Sequence, residues 1–214
     1  GGEVRHYEQD TDHWINIDAN HIDVRGGGVI RAPKLMLTGA NVTVRDGGVV
    51  HADLNTGNDC EAEHVGQSGA GGGHGGTGGH STTSSVVGTP RGHLFEPEHF
   101  GCAGGGGSGL GGGIVRVNIT GRLRVDGTMH ANAEDGTSSG GGGSGGSIWM
   151  QVEHITGYGN IQANGGNGHN SGGGGSGGRI ALYFTRNETF IGNFQAFGGV
   201  AVSDGAQSGG AGTV

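Results

Sequence analysis

One five-residue pattern constrains this chain more than any other feature: Gly, any residue, an apolar residue, then Arg, His or Gln, then Ala. It occurs five times, as Gly28-Val29-Ile30-Arg31-Ala32, Gly48-Val49-Val50-His51-Ala52, Gly127-Thr128-Met129-His130-Ala131, Gly159-Asn160-Ile161-Gln162-Ala163 and Gly192-Asn193-Phe194-Gln195-Ala196. Successive alanines lie 20, 79, 32 and 33 positions apart. A unit repeated at such intervals cannot bury its apolar side alone, so its copies must pack on one another. The longer gaps carry a second recurring element, the glycine tracts Gly104 to Ser108, Gly140 to Ser144 and Gly172 to Ser176, followed by segments opening at Ile114, Ile148 and Ile180.

Those segments alternate as strands do: Ile148, Met150 and Val152 share one face, as do Ile180, Leu182 and Phe184. Val42 with Val44, and Leu123 with Val125, mark a second strand per repeat. The reading that follows is an all-β chain, a parallel β-helix or β-solenoid with packed, polyproline-II-like glycine loops. Glycine is 56 of 214 residues and Pro only 3, which excludes collagen, since that needs Gly at every third position with abundant Pro. Glycine in register with a β pattern reads as architecture rather than as a flexible linker, because backbones lacking Cβ can approach closely.

The expected organisation is a single module over residues 1–214. It has N-terminal coils at 15–53, a glycine-rich insertion at 54–113 and C-terminal coils with glycine tracts at 114–214. The chain also reads as a segment of a longer one. Cys60 and Cys102 bracket the insertion and are expected to form a disulfide, which points to an oxidising compartment. Sequons at Asn41, Asn118 and Asn187 point the same way, to a secreted or cell-surface glycoprotein.

With 11 Lys and Arg against 19 Asp and Glu, a formal net of −8, the chain has no basic field for a nucleic-acid backbone. No apolar run reaches bilayer-spanning length.

Gly172 to Ile180, Gly159 to Gly166 and Gly71-Gly72-Gly73-His74-Gly75-Gly76 resemble the glycine-rich repeats, Gly-Gly-Gly-Gly-Ser-Gly-Gly-x-Ile with Gly-x-Ile-x-Ala-Asn-Gly-Gly, of large secreted or membrane-anchored proteins of plants, protists and animals. The resemblance covers residues 69–214 well and 15–53 loosely. A more distant similarity, to autotransporter passengers and pectate-lyase-like β-helices, rests on the coil pattern alone. Such a resemblance implies long extracellular proteins and carries no chemistry with it.

No catalytic residues are expected. Asp46 and Asp126 precede the pentad glycine, where Asp satisfies turn donors. Ser108, Ser144 and Ser176 lie in glycine tracts without the strand-to-helix setting of a nucleophile elbow, and receive a turn role. The twelve histidines lack zinc spacing and read as scattered surface positions. No cofactor or metal is expected; were calcium to bridge coils, Asp10, Asp12, Asp53 and Asp59 are its candidate ligands. Trp149, Tyr158 and Tyr183, with an outward column of Arg31, His51, His130, Gln162 and Gln195, form a candidate ligand face for sugars.

The function expected is therefore an extracellular structural or adhesive scaffold of a larger repeat protein, non-enzymatic and fibre-forming. It would associate end to end or with matrix proteins and glycans. The alternative is a glycan-binding or glycan-processing β-helix domain.

Overall fold

A computed structural model of the chain describes residues 3–5, 13–52, 60–106 and 109–214. Its first strands are β1 (Glu3–Arg5), β2 (Ile15–Asp18), β3 (His21–Val24), β4 (Val29–Arg31), β5 (Lys34–Gly39), β6 (Asn41–Val44) and β7 (Val49–His51). After a long glycine-rich stretch come β8 (Ile114–Ile119), β9 (Arg122–Val125), β10 (Thr128–His130), β11 (Ser147–Gly157), β12 (Asn160–Gln162), β13 (Arg179–Phe190) and β14 (Asn193–Gln195). Among the described residues there is no helix.

Each pentad contributes one three-residue strand to the first sheet, whose order is β1-β4-β7-β10-β12-β14 with every pair parallel. The registers Val29 to Val49, Val49 to Thr128, Thr128 to Asn160 and Asn160 to Asn193 set the five pentads side by side. Alternation then sends the central apolar residue inward: Ile30, Val50, Met129 and Ile161 are buried, and Phe194 is packed against the same core. The pentad alanines are buried beside them, small enough for the chain to turn there.

The second sheet joins two parallel ladders. One runs β2-β5-β8 and the other β3-β6-β9. Both end on β11, which pairs β8 through Ser147 to Gln151 and β9 through His154 to Thr156. The reason is local. The Thr120-Gly121 corner separates β8 from β9, whereas β11 carries Val152-Glu153 opposite Ile119-Thr120-Gly121, without a glycine, and continues as one strand of 11 residues. β13 has no glycine either and pairs β11 along its length. Leu35, Leu37, Val115, Val117, Ile148 and Met150 from this sheet share a single core with the inward row of the first.

This architecture corrects the expected parallel β-helix. A β-helix needs every coil to add one strand to each of its separate sheets, and here two ladders fuse at β11, so the mostly parallel sheets make a half-barrel arrangement. Parallel neighbours require crossovers, which in α/β proteins are helices. In this chain each connection runs through strands of the other ladder and the other sheet, as β3 and β4 do between β2 and β5, and from β8 onward glycine-rich backbone without regular secondary structure is added to it.

That backbone is ordered by hydrogen bonds. Along residues 173–178 the N–H donors turn in succession to three neighbouring segments. Gly173 donates to Gly69, Gly174 to Gln207 and Gly175 to Gly166; then Ser176 donates to Gly72, Gly177 to Gly210 and Gly178 to Ala163. Residues 141–146 repeat the rotation, with acceptors at Gly105, Gly173 and Glu134, then Cys102, Ser176 and Ala131. A rotation of three residues is the period of polyproline-II backbone, whose donors all point outward. The Cys60–Cys102 disulfide ties the start of this layer to its middle, and Cys102 is fully buried.

Candidate functional site

Register brings the outward pentad residues together. Arg31, His51, His130, Gln162 and Gln195 form one column across the first sheet. Much of their polarity is used laterally: the His51 and His130 rings stack with centroids 4.9 Å apart, and Gln162 Nε2 donates to Gln195 Oε1 at 2.8 Å. Asn132 Nδ2 donates to Gln162 Oε1 at 3.3 Å.

The aromatics of the expected ligand face lie elsewhere. Trp149 and Tyr183 sit on the second sheet, and Tyr158 is exposed in the connection from β11 to β12. The Arg116 guanidinium lies 4.0 Å from the Trp149 ring centroid, occupying a face a sugar would need. Tyr183 Oη donates to the Phe95 carbonyl at 2.8 Å.

The calcium candidates Asp10, Asp12, Asp53 and Asp59 all lie outside the described residues. Among the described residues one group, Glu61, Glu63 and His64, has ligand atoms within 4.8 Å of one another. His64 Nδ1 in that group is already 3.0 Å from Thr89 Oγ1. Asp23, at the start of the chain, accepts from Arg45 Nε at 2.7 Å, and that bond holds its carboxyl below the usual carboxylate range. Of the sequons, Asn118 is exposed, Asn41 is half-buried with Oδ1 accepting from the Arg122 backbone N–H at 3.1 Å, and Asn187 lies in β13.

Two groups read from sequence as unremarkable are structural joints of the glycine layer. Ser144 and Ser176 are fully buried rather than in turns: Ser144 Oγ accepts from Cys102 N at 2.7 Å, and Ser176 Oγ from His74 N at 2.9 Å. His74 is itself fully buried rather than at the surface. Its Nδ1 lies 2.7 Å from the Gly145 carbonyl, which can only accept, so Nδ1 carries the proton and Nε2 is bare and unpartnered. Burial pushes the His74 pKa down to about 3, with Arg179 and Arg91 adding to the effect. Arg179 closes the same region by donating from Nε to the Arg91 carbonyl at 2.9 Å.

Two concave surfaces of the described residues are of ligand size. One is an apolar groove of about 470 Å³ at the β13 edge, where Leu94 and Phe95 face Leu182, Phe184, Phe194 and Val214. The other is a polar cavity of about 410 Å³ on the outer face of the second ladder, lined by His21, Asn41, Thr43, Arg122, Arg124 and Thr156. Strand alternation builds it: His21 with Asp23, Asn41 with Thr43 and Arg122 with Arg124 are outward positions of β3, β6 and β9. The signal was present as Arg-Leu-Arg-Val at 122–125, but only the register of three strands distant in sequence assembles the cavity. Comparison with protein-family models, curated proteins and solved structures gives no match. No described helix is long and apolar enough to cross a membrane.

Proposed function

We propose that this chain is a non-catalytic scaffold or adhesive module of a secreted protein, joining a second copy head to tail through the β2 and β13 edges of its second sheet. The observation that carries this reading is the pair of apolar rows crossing the second sheet. One runs Ile15, Leu35, Val115, Ile148, Ile180, and the other Ile17, Leu37, Val117, Met150, Leu182. Ile15 and Ile17 are half-buried at one edge, and Leu182 at the other is half-buried with Phe184 exposed beside it. Thr213 already bridges the start of β13 at Arg179, so β2 of a second copy laid parallel on β13 beyond that bridge would continue the row ending at Leu182 and satisfy edge hydrogen-bonding groups. Such a contact uses different surfaces on the two partners, so it propagates instead of closing.

A buried disulfide favours an oxidising compartment and hence secretion. Sedimentation velocity tests the association: the chain should form larger species as concentration rises, and Phe95→Glu with Phe184→Glu should hold it monomeric at an unchanged melting temperature. A wild-type chain that stays monomeric at its solubility limit overturns the proposal. Peptide mass spectrometry of material passed through a eukaryotic secretory pathway tests the compartment, with glycan mass expected on the peptides containing Asn41, Asn118 and Asn187.

A further inference from the structure

The polar cavity over β3, β6 and β9 differs in kind from the apolar groove at β13. We infer that it binds an acidic oligosaccharide, one whose sugar units carry sulfate or carboxylate groups. This goes beyond the scaffold reading and does not depend on self-association.

The lining supplies two guanidinium groups, an imidazole, two hydroxyls and an amide, while the Asp23 carboxylate, next along the same face of β3, is taken up by Arg45. Guanidinium forks match sulfate and carboxylate oxygens in geometry, while hydroxyl and amide groups exchange hydrogen bonds with sugar hydroxyls. A cavity of about 410 Å³ has room for one or two sugar units, and its polar lining offers an apolar ligand nothing. The site is also held in shape. Arg124 Nε donates to Asp126, whose carboxylate is only 8% exposed, so one side of that guanidinium is anchored and the rest of its donor fork keeps capacity for a ligand. The Arg122 backbone is anchored by Asn41 Oδ1.

Beyond the cavity the same row continues with an imidazole, paired with Glu153 at 3.5 Å, and then a guanidinium. Arg122 is in register with His154, and His154 with Arg186, on adjacent strands set roughly 4.8 Å apart. An extended chain of acidic sugars could follow that row. The chain's net charge of −8 argues against a long polyanion gripped by general attraction, and for a short, local contact.

Because Asn41 and Thr43 of the first sequon line the cavity, a glycan on Asn41 would compete for it. The test therefore uses the unglycosylated 214-residue chain, titrated calorimetrically with oligomers of dextran sulfate, oligogalacturonate, neutral dextran and polyuridylate. Binding is expected to dextran sulfate or oligogalacturonate, the tighter of the two assigning the acidic group. Arg122→Gln and Arg124→Gln should each weaken it roughly tenfold or more, as loss of a charged hydrogen bond does. Arg25→Gln, outside the cavity, should leave binding unchanged, and circular dichroism with melting curves should show every variant folded. Absence of binding to both acidic glycans, equal binding of neutral dextran, tighter binding of polyuridylate, or indifference to both arginine substitutions overturns the assignment.

Discussion

The space between the two sheets and the glycine layer beside them are both buried, yet they are filled by opposite means. Between the sheets, side chains do the filling: Leu35, Leu37, Val42, Met129 and Ile161 are fully buried, and their backbones stand a sheet thickness apart. In the glycine layer there is almost no side chain to bury, and backbone lies directly on backbone. A Cβ built on Gly175 would fall on the carbonyl of Gly143, and one on Gly142 would fall on the carbonyl of Gly166. Neither glycine has a positive φ, so neither is there for conformational freedom; space is what they need. Sheet cores draw on apolar transfer, whereas the layer draws on hydrogen bonds and close dispersion contacts between peptide groups.

The sharpest way to break this comparison is to add one methyl to the layer and remove three carbons from the sheet core. Gly175→Ala should cost more than about 4 kcal/mol, because hydrogen-bonded backbone on both sides must move to admit it. Leu37→Ala should cost about 3 kcal/mol, the ordinary range for a cavity in a side-chain core. Urea melts of the two variants decide it. A Gly175→Ala chain as stable as wild type would mean the layer is loosely packed and contributes little.

His74 sharpens the comparison from another side, since it is a large titratable group placed inside the glycine layer. Its folded pKa of about 3 lies below the value of 6.5 expected when unfolded, so on acidification the unfolded chain takes up a proton that the folded chain refuses. The stabilisation is complete above pH 6.5 and declines as pH falls through the window down to about 3. The slope is about 1.4 kcal/mol per pH unit, so a shift from pH 6.5 to 4.5 should remove about 2 to 3 kcal/mol. His74→Gln, whose amide can still donate toward Gly145, should lower stability at neutral pH and flatten that dependence. An unchanged slope in the variant would place the acid sensitivity in other groups.

What the sequence made legible follows from which interactions are local. The pentads predict their own alignment, since each carries the apolar residue and alanine that face the core, and the pair Cys60 and Cys102 has only one way to bond. The overall architecture was less legible. Whether β8 and β9 stay separate or merge into a strand like β11 depends on a corner at Thr120-Gly121, a detail that repeat spacing averages away. The polar cavity was invisible for a related reason, since His21, Asn41 and Arg122 meet only through strand register. The buried state of His74, in turn, depends on layers formed by residues 142–146 and 174–178, and nothing adjacent to it in sequence announces burial.

The smallest effect belongs to a glycine of the other kind. Gly27 sits in the exposed turn between β3 and β4 with φ of 73°, and a Cβ built there meets nothing within 4 Å. Gly27→Ala therefore meets only the left-handed backbone penalty, about 1 kcal/mol, with no steric collision. Gly27→Asn should cost less still, because Asn tolerates that region. Melting curves for these two, set beside Gly175→Ala, separate the two uses of glycine within one chain. Should Gly27→Ala prove as damaging as Gly175→Ala, conformational freedom rather than close backbone approach would explain why the tracts are glycine, and the distinction between the two buried regions would lose its physical basis.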